Sequence, residues 1–418
     1  MNHFHYHNDI LHCENVSIPE IADAVGTPLY LYSHATLSRH FHAFDSAFDG
    51  FDRLVCYSAK ANTSLGILKI LRDEGAGLDI VSGGELYKGL QAGFRPETIV
   101  YSGVGKRIDE IDFALHTGIL MFNIESREEL DVLQARASAL DRTARISIRV
   151  NPDVDPMTHP HISTGLKKNK FGIDVETALE TYAAASRMDH VEIVGIDCHI
   201  GSQITQVHPF EEALRSLIDL MDRLKGMGID IRYLDMGGGL GITYRDEQPP
   251  HPSEYANAIR KVLGDRKLTL VFEPGRVLVG NAGILVTRVL YRKQSPAKEF
   301  VITDAAMNDL MRPVLYGAFH DIRPVDRRET LPEIVADVVG PICESGDFLA
   351  QMRSMPSVRR GDLLAVMSAG AYGFSMSSNY CSRLRAAEVL VKGDRFAVIR
   401  ERETYEDLVR KEKTADFS

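Results

Sequence analysis

Residues 191–203 read VEIVGIDCHIGSQ. A short segment rich in Val and Ile, the composition of a strand buried on both faces, gives way at His199-Ile-Gly201-Ser202-Gln203 to a polar, glycine-containing cluster. The same pattern repeats along the chain. RLVCYS, GLDIV, TIVYS, ILMFNI, RISIRV, IRYLDM and LTLVFE bring the strand candidates between about 53 and 275 to eight. Helical stretches separate them. Ser82-Gly-Gly-Glu85 and Ser126-Arg-Glu-Glu129 fit the capping box, in which serine and glutamate satisfy each other's amides. FEEALRSLIDLMDRLKGMG places Leu214, Leu217, Ile218 and Met221 on one helical face and ends at glycine. Eight strand–helix units in series predict an α/β fold, a (β/α)8 TIM-type barrel rather than an open sheet.

After about residue 282 the pattern changes. GILVTRVLYR, EFVITDA, EIVADVVG, DLLAVMSAG and the pair AEVLV and RFAVIRE, with a turn at Lys392-Gly393-Asp394, read as strands with few helices between them. We assign 37–282 to the barrel, and 1–36 with 283–418 to an all-β, sandwich- or barrel-like domain. TPLYLYS (27–33) contains a strand that suits either part.

A chain of 418 residues with 44% hydrophobic and 25% charged residues can build two such cores. No apolar run approaches the roughly 20 residues that span a bilayer, and MNHFHYHNDILHCENV lacks the basic-then-apolar pattern of a secretory signal. The expected location is the cytoplasm. A formal net charge of −10 argues against a nucleic-acid partner. Five scattered cysteines without a CxxC pair suggest reduced thiols, not a disulfide framework or zinc site. The histidines of HFHYH fit no ligand spacing, so they read as surface residues and no metal is expected.

In a βα barrel the reactive groups gather at the carboxyl ends of the strands. Four clusters fall there: Ser58-Ala-Lys60-Ala-Asn62 after the first strand, His199–Gln203 after the sixth, Gly237-Gly238-Gly239-Leu-Gly241 after the seventh, and Glu273-Pro-Gly275-Arg276 after the eighth. Each has an ordinary reading: a surface lysine, a packed histidine, a tight turn, a salt-bridged carboxylate. Each also has a chemical one. Lys60 would serve as a Schiff-base lysine. The glycine run, at the usual barrel phosphate position, would offer backbone amides helped by a following helix start. Glu273 would keep a pyridine nitrogen protonated, and His199 would lie against the ring. Lysine, phosphate loop, acid and aromatic base together describe a pyridoxal-phosphate site.

At these residues the chain resembles the fold-type III, alanine-racemase-like pyridoxal enzymes, which include the ornithine and diaminopimelate decarboxylases. The likeness runs from GTPLYLYS (26–33) to AAEVLV (386–391), and YSAKAN, HIGSQ, DMGGGLG and EPGR carry it in combination. The resemblance implies pyridoxal 5'-phosphate bound covalently to Lys60, with His199 on its ring and Glu273 at its nitrogen. Asp79, Arg276, Ser202, Gly237, Gly238, Gly239, Gly275 and Tyr372 of AGAYG would complete the cofactor site. Within the family, RVNPDVDPMTHPHISTGLKKNKFGI (149–173) and TDAAMNDLMRPVLYGAFH (303–320) resemble the diaminopimelate decarboxylases. By that likeness Arg276, Arg312, Tyr316 and Tyr372 would bind substrate. Cys343 of CESGD (343–347) would donate a proton at the reacting carbon, and Glu344 would recognise the distal amino group. The CESGD loop would complete the active site of a neighbouring subunit, which implies a homodimer. The implied reaction converts meso-2,6-diaminopimelate to L-lysine and carbon dioxide, the last step of lysine biosynthesis. One departure is Cys381-Ser-Arg-Leu-Arg385, where the family shows Asn-Ser-Arg-Pro-Arg.

Ornithine, arginine and carboxynorspermidine decarboxylation are the nearest alternatives. The arginine of MNDLMRP argues against them, because it offers a partner to a second carboxylate. A racemase would need a second base where this chain has CESGD. A non-catalytic pyridoxal-phosphate carrier would need neither the β domain nor that loop. The length of the 152–172 stretch suggests a lid.

Overall fold

The computed structural model describes residues 2–155, 169–329 and 331–417. Residues 156–168, the middle of the stretch read above as a lid, lie outside the described residues. The chain divides into two compact units, one of residues 38–243 with 247–278, the other of 1–37, 244–246 and 279–418.

In the first unit all eight expected strands form and close into a parallel barrel in chain order, the last strand pairing with the first. Both capping serines act as read: Ser82 Oγ accepts from the Glu85 amide and Ser126 Oγ from the Glu129 amide, each at 3.2 Å. The return bonds differ. Glu85 and Glu129 accept from Val81 and Glu125, one residue before the cap, at 2.7 and 2.8 Å. The helix His208–Gly226 buries Ala213, Leu214, Leu217, Leu220 and Leu224, while Ile218 and Met221 are only half-buried. Its apolar face is thus turned from the one read off the sequence. One end of the barrel interior is filled by Cys56, Val100, Met121, Val194 and Val271.

In the second unit a nine-stranded sheet contains every strand expected after 282, and TPLYLYS joins it. Leu29–Ser33 sits between Gly283–Gln294, antiparallel, and Ala387–Lys392, parallel. The final hairpin pairs Lys392 with Arg395, with Gly393 at φ +64° in its two-residue turn, a conformation glycine reaches without penalty. Two sheet strands were not expected. Phe348–Pro356 is interrupted by a register shift and by Met352 at φ +48°, a bulge that breaks the alternation by which strands are recognised. Ile322–Pro324 is too short to show a pattern.

Residues Phe4–His7, Ile10–Cys13 and Val16–Ser17 form a small separate sheet. Phe4 and Tyr6 point into the core while His5 and His7 are exposed. His3 departs from the surface reading, being half-buried and 3.1 Å from Thr36 Oγ1. Among the described residues no helix is long and apolar enough to cross a membrane.

Candidate active site

The first barrel strand, Arg53–Ser58, ends in a single 3-10 turn, Ala59–Ala61, that presents Lys60. Gly275 permits this placement, since a Cβ there would come 3.1 Å from Ser58 Cβ and 3.2 Å from Ala61 Cβ. Ser58 is in register with Asp79 on the second strand. Asp79 Oδ2 accepts from Ser58 Oγ at 2.6 Å and from Lys60 Nζ at 2.9 Å.

On the opposite side of the ring of strands, His199 Nδ1 accepts from the Gly238 amide at 3.0 Å. Its bare nitrogen is therefore Nδ1. Burial, with Arg149 and Lys60 nearby, lowers the His199 pKa well below its ordinary value, so the ring is neutral. A Cβ on Gly237 would lie 2.7 Å from His199 Nδ1, and one on Gly238 would lie 2.2 Å from the Glu273 carbonyl. The glycines let three strand ends close together. They do less as donors than expected: the Gly237 amide is spent on Asp235 Oδ1 at 2.9 Å and that of Gly238 on His199. Nor does a helix follow directly, because the next one is Pro252–Leu263. Arg276, itself buried, donates from Nη2 to Ser202 Oγ at 2.9 Å.

With these groups lies a buried polar layer of which the sequence reading singled out only Glu273. Arg149, Asp197 and Asp235 stand level with one another on the fifth, sixth and seventh strands. Arg149 pairs with Glu125 at 2.7 Å. Glu273 Oε1 accepts from Ser102 Oγ at 3.0 Å and from Asn123 Nδ2 at 3.3 Å, and Asn123 also reaches Asp235 Oδ2 at 3.3 Å. Arg149, Asp197 and Asp235 close barrel strands, and Ser102, Glu125 and Glu273 directly follow them, which is the signal that could have found them; Asn123, inside its strand, gives no such signal. Carboxylate oxygens of Asp197, Asp235 and Glu273 lie within 4.8 Å of one another. Burial first, then the neighbouring acids, pushes Glu273 and Asp197 well above the usual carboxylate range.

In the β unit, Asp347 joins the two segments read as substrate-binding. Its carboxylate accepts from the Met307 amide at 2.8 Å and the Ile342 amide at 2.7 Å. Met307 and Ile342 also share a small apolar cluster. Arg312 lies over the Tyr316 ring, its guanidinium carbon 5.9 Å from the centroid. Glu344 Oε2 accepts from Tyr380 Oη at 2.6 Å, and Cys343 is exposed as a free thiol. Tyr372 holds φ at +56°, an unusual conformation for a residue with a side chain. Cys381, at the departure from the family pattern, also has positive φ, +53°, and is exposed.

The barrel residues fit pyridoxal phosphate. Asp79, Glu125, Asp197, Asp235 and Glu273 are buried, against the buried cations Arg149 and Arg276 and the partly exposed Lys60. That surplus of acid suits a ligand with a cationic ring nitrogen.

Residues 34–280 match the pyridoxal-binding domain of the pyridoxal-dependent decarboxylases, which defines the class. The chain is 54% identical over 408 residues to diaminopimelate decarboxylase of Pseudomonas aeruginosa, covering 98% of each, and 51% identical to that of Aquifex aeolicus, covering 97% of this chain and 96% of the other. The crystal structure of diaminopimelate decarboxylase from Helicobacter pylori complexed with L-lysine superposes with a TM-score of 0.91 at 43% identity, covering 94% of this chain and 98% of that one. The chain belongs to the diaminopimelate decarboxylase family.

Proposed function

We infer that the chain decarboxylates meso-2,6-diaminopimelate to L-lysine and carbon dioxide, a proton replacing the lost carboxylate. The observation that carries this reading is the barrel site itself. There Lys60 is held by Asp79, while Glu273 is buried among acids and held by Ser102 and Asn123. In this reading Lys60 Nζ would hold the cofactor covalently, the neutral His199 would face its ring, and Glu273 would pair with its ring nitrogen. Ser202, Gly237, Gly238, Gly239, Gly275 and Tyr372 would contact its phosphate region, and Arg276 would complete the cofactor site. When bound, pyridoxal phosphate supplies an electron sink for the pair left on the carbon that loses carbon dioxide.

The remaining work belongs to side chains. Glu273, kept basic by burial and then by Asp235, Asp79 and Asp197, holds a proton at its carboxyl. Arg276, Arg312 and Tyr316 bind substrate carboxylate, and Tyr372 also contacts substrate. Glu344 recognises the distal ammonium, and Cys343 Sγ returns a proton to the reacting carbon. The exposure of Cys343 and Glu344 supports a homodimer in which this loop serves the neighbouring subunit. Five free cysteines suit the reducing cytoplasm.

The test is carbon dioxide release from meso-diaminopimelate by purified protein with added pyridoxal phosphate. L-lysine is the expected product, with loss of turnover in Lys60→Ala and little activity on ornithine or arginine. Full turnover in Lys60→Ala would sink the scheme. Preference for ornithine or arginine would move the substrate, and cofactor binding without turnover of any amino acid would favour a carrier.

A further inference from the structure

The segment 303–320 ends on a histidine to which no role has been given. The short helix Arg312–Tyr316 stops at Gly317, whose φ of +59° is the left-handed conformation open to glycine. The Ala318 amide donates back to the Arg312 carbonyl at 3.3 Å. This reversal carries His320 onto the start of the same helix. His320 is fully buried and Arg312 is 6% exposed.

The partners decide where the imidazole proton sits. A guanidinium only donates, and Arg312 Nε donates to His320 Nε2 at 3.3 Å. Nε2 is therefore the bare nitrogen. Nδ1 lies 2.9 Å from the Met367 carbonyl, which only accepts, so Nδ1 carries the proton. Turning the ring over would set C–H groups against both partners. A doubly protonated ring would oppose N–H to N–H beside a permanent cation.

The frame around this ring is firm. Arg353 Nη1 donates to the His320 carbonyl at 2.8 Å, and the Met367 amide donates to Asp321 O at 2.8 Å. The Tyr244 ring meets the imidazole edge-on, with centroids 5.3 Å apart, and its centroid lies 4.9 Å from the Arg312 guanidinium carbon. Arg312 is thus oriented by an acceptor at Nε and an aromatic face.

We propose that His320 is a positioning residue for substrate recognition: as a neutral, Nδ1-protonated imidazole it occupies Arg312 Nε, so that the Nη atoms grip the carboxylate at the end of the substrate that is not decarboxylated. This rests on the reading of Arg312 as a carboxylate-binding residue.

The test uses the holoenzyme as wild type, His320→Leu, His320→Gln and Arg312→Ala. Kinetics with meso-diaminopimelate are joined to inhibition by L-lysine, which keeps that carboxylate, and by 1,5-diaminopentane, which has none. In His320→Leu, KM and the L-lysine inhibition constant should rise together, by about tenfold, as expected for losing a hydrogen bond to a charged group. The kcat and the diamine constant should hold. His320→Gln, whose amide oxygen accepts from Arg312, should recover most of the loss. In ¹⁵N-histidine-labelled wild type, the His320 signals, identified by their absence from His320→Gln, should show protonated Nδ1 and bare Nε2.

A fall in kcat at constant KM, equal weakening of diamine and L-lysine, or a proton on Nε2 would overturn the proposal. If Arg312→Ala weakens L-lysine while His320→Leu does not, only the role of His320 fails. If Arg312→Ala leaves L-lysine unaffected, the reading of Arg312 fails and the proposed role of His320 with it, while the measured tautomer would stand.

Discussion

Lys60 Nζ rests 2.9 Å from Asp79 Oδ2 on the adjacent barrel strand, and the same oxygen takes the Ser58 hydroxyl at 2.6 Å. The reactive amine is therefore tethered by a buried acid on a rigid element, while its own side chain stays 35% exposed. Asp79→Asn should cost about 1–2 kcal/mol of stability, less than the ~3–5 of a fully buried pair because water reaches the lysine. It should also weaken cofactor retention. Thermal melts and cofactor absorbance check this, and a variant that behaves as wild type in both would show that Asp79 does not hold Lys60.

Gly238 has an ordinary backbone conformation, yet its missing Cβ would stand 2.2 Å from the Glu273 carbonyl. Gly238→Ala should therefore lose ~1–3 kcal/mol through overpacking and shed cofactor as His199 and Glu273 move apart. Gly264, at φ +62° with nothing within 4 Å of its Cβ, serves as the control. Gly264→Ala should cost ~1–3 kcal/mol from backbone strain alone, its ψ of −141° lying outside the left-handed helical well, and leave cofactor binding intact. Equal cofactor loss in the two would remove the steric argument.

Asp347 is the tie between the CESGD loop and the Met307 segment. Asp347→Ala leaves two amides without their acceptor, each worth about 1–3 kcal/mol where buried. The expected result is faster hydrogen exchange at residues 305–308 and 340–347, with a raised KM. Unchanged exchange at either segment would mean that the loop is held by other contacts.

Burial, only partly offset by the Ala306 amide and Arg383, holds the Asp309 carboxyl up at about 7, against an ordinary value of 3.8. Between those values the folded protein keeps a proton that the unfolded chain has lost. The contribution is thus fully present below the ordinary value and is lost as pH rises through about 7. Asp309→Asn preserves an acceptor for the Ala306 amide, 3.0 Å away in the wild type, and cannot ionise. Relative to wild type it should gain stability between about pH 4 and pH 8, by up to ~4 kcal/mol. Parallel melting curves for the two proteins across that range would refute the assignment.

The barrel was legible because each of its strands is a short, nearly continuous apolar run, and because strand–helix alternation leaves few topologies open. The strand of TPLYLYS was equally visible, but its partners were not. Pairing Leu29–Ser33 between strands more than 250 and 350 residues away is a long-range choice that local pattern does not encode. Phe348–Pro356 escaped because its bulge spoils the two-residue period.

At the site, the sequence by itself determined which chemistry was at hand: a lysine, a histidine, a glycine run and an acid, each at the end of a predicted strand. Those identities follow from local order, since a strand end fixes where the next few residues begin. Only the tertiary structure decided how the groups are used. It spent two glycine amides on Asp235 and His199, set Asp79 under Lys60, and crowded Asp197, Asp235 and Glu273 within 4.8 Å. It also turned His320 back onto Arg312. Burial and the proximity of other charges set protonation state and orientation, and both are properties of the packed interior that no stretch of sequence carries alone.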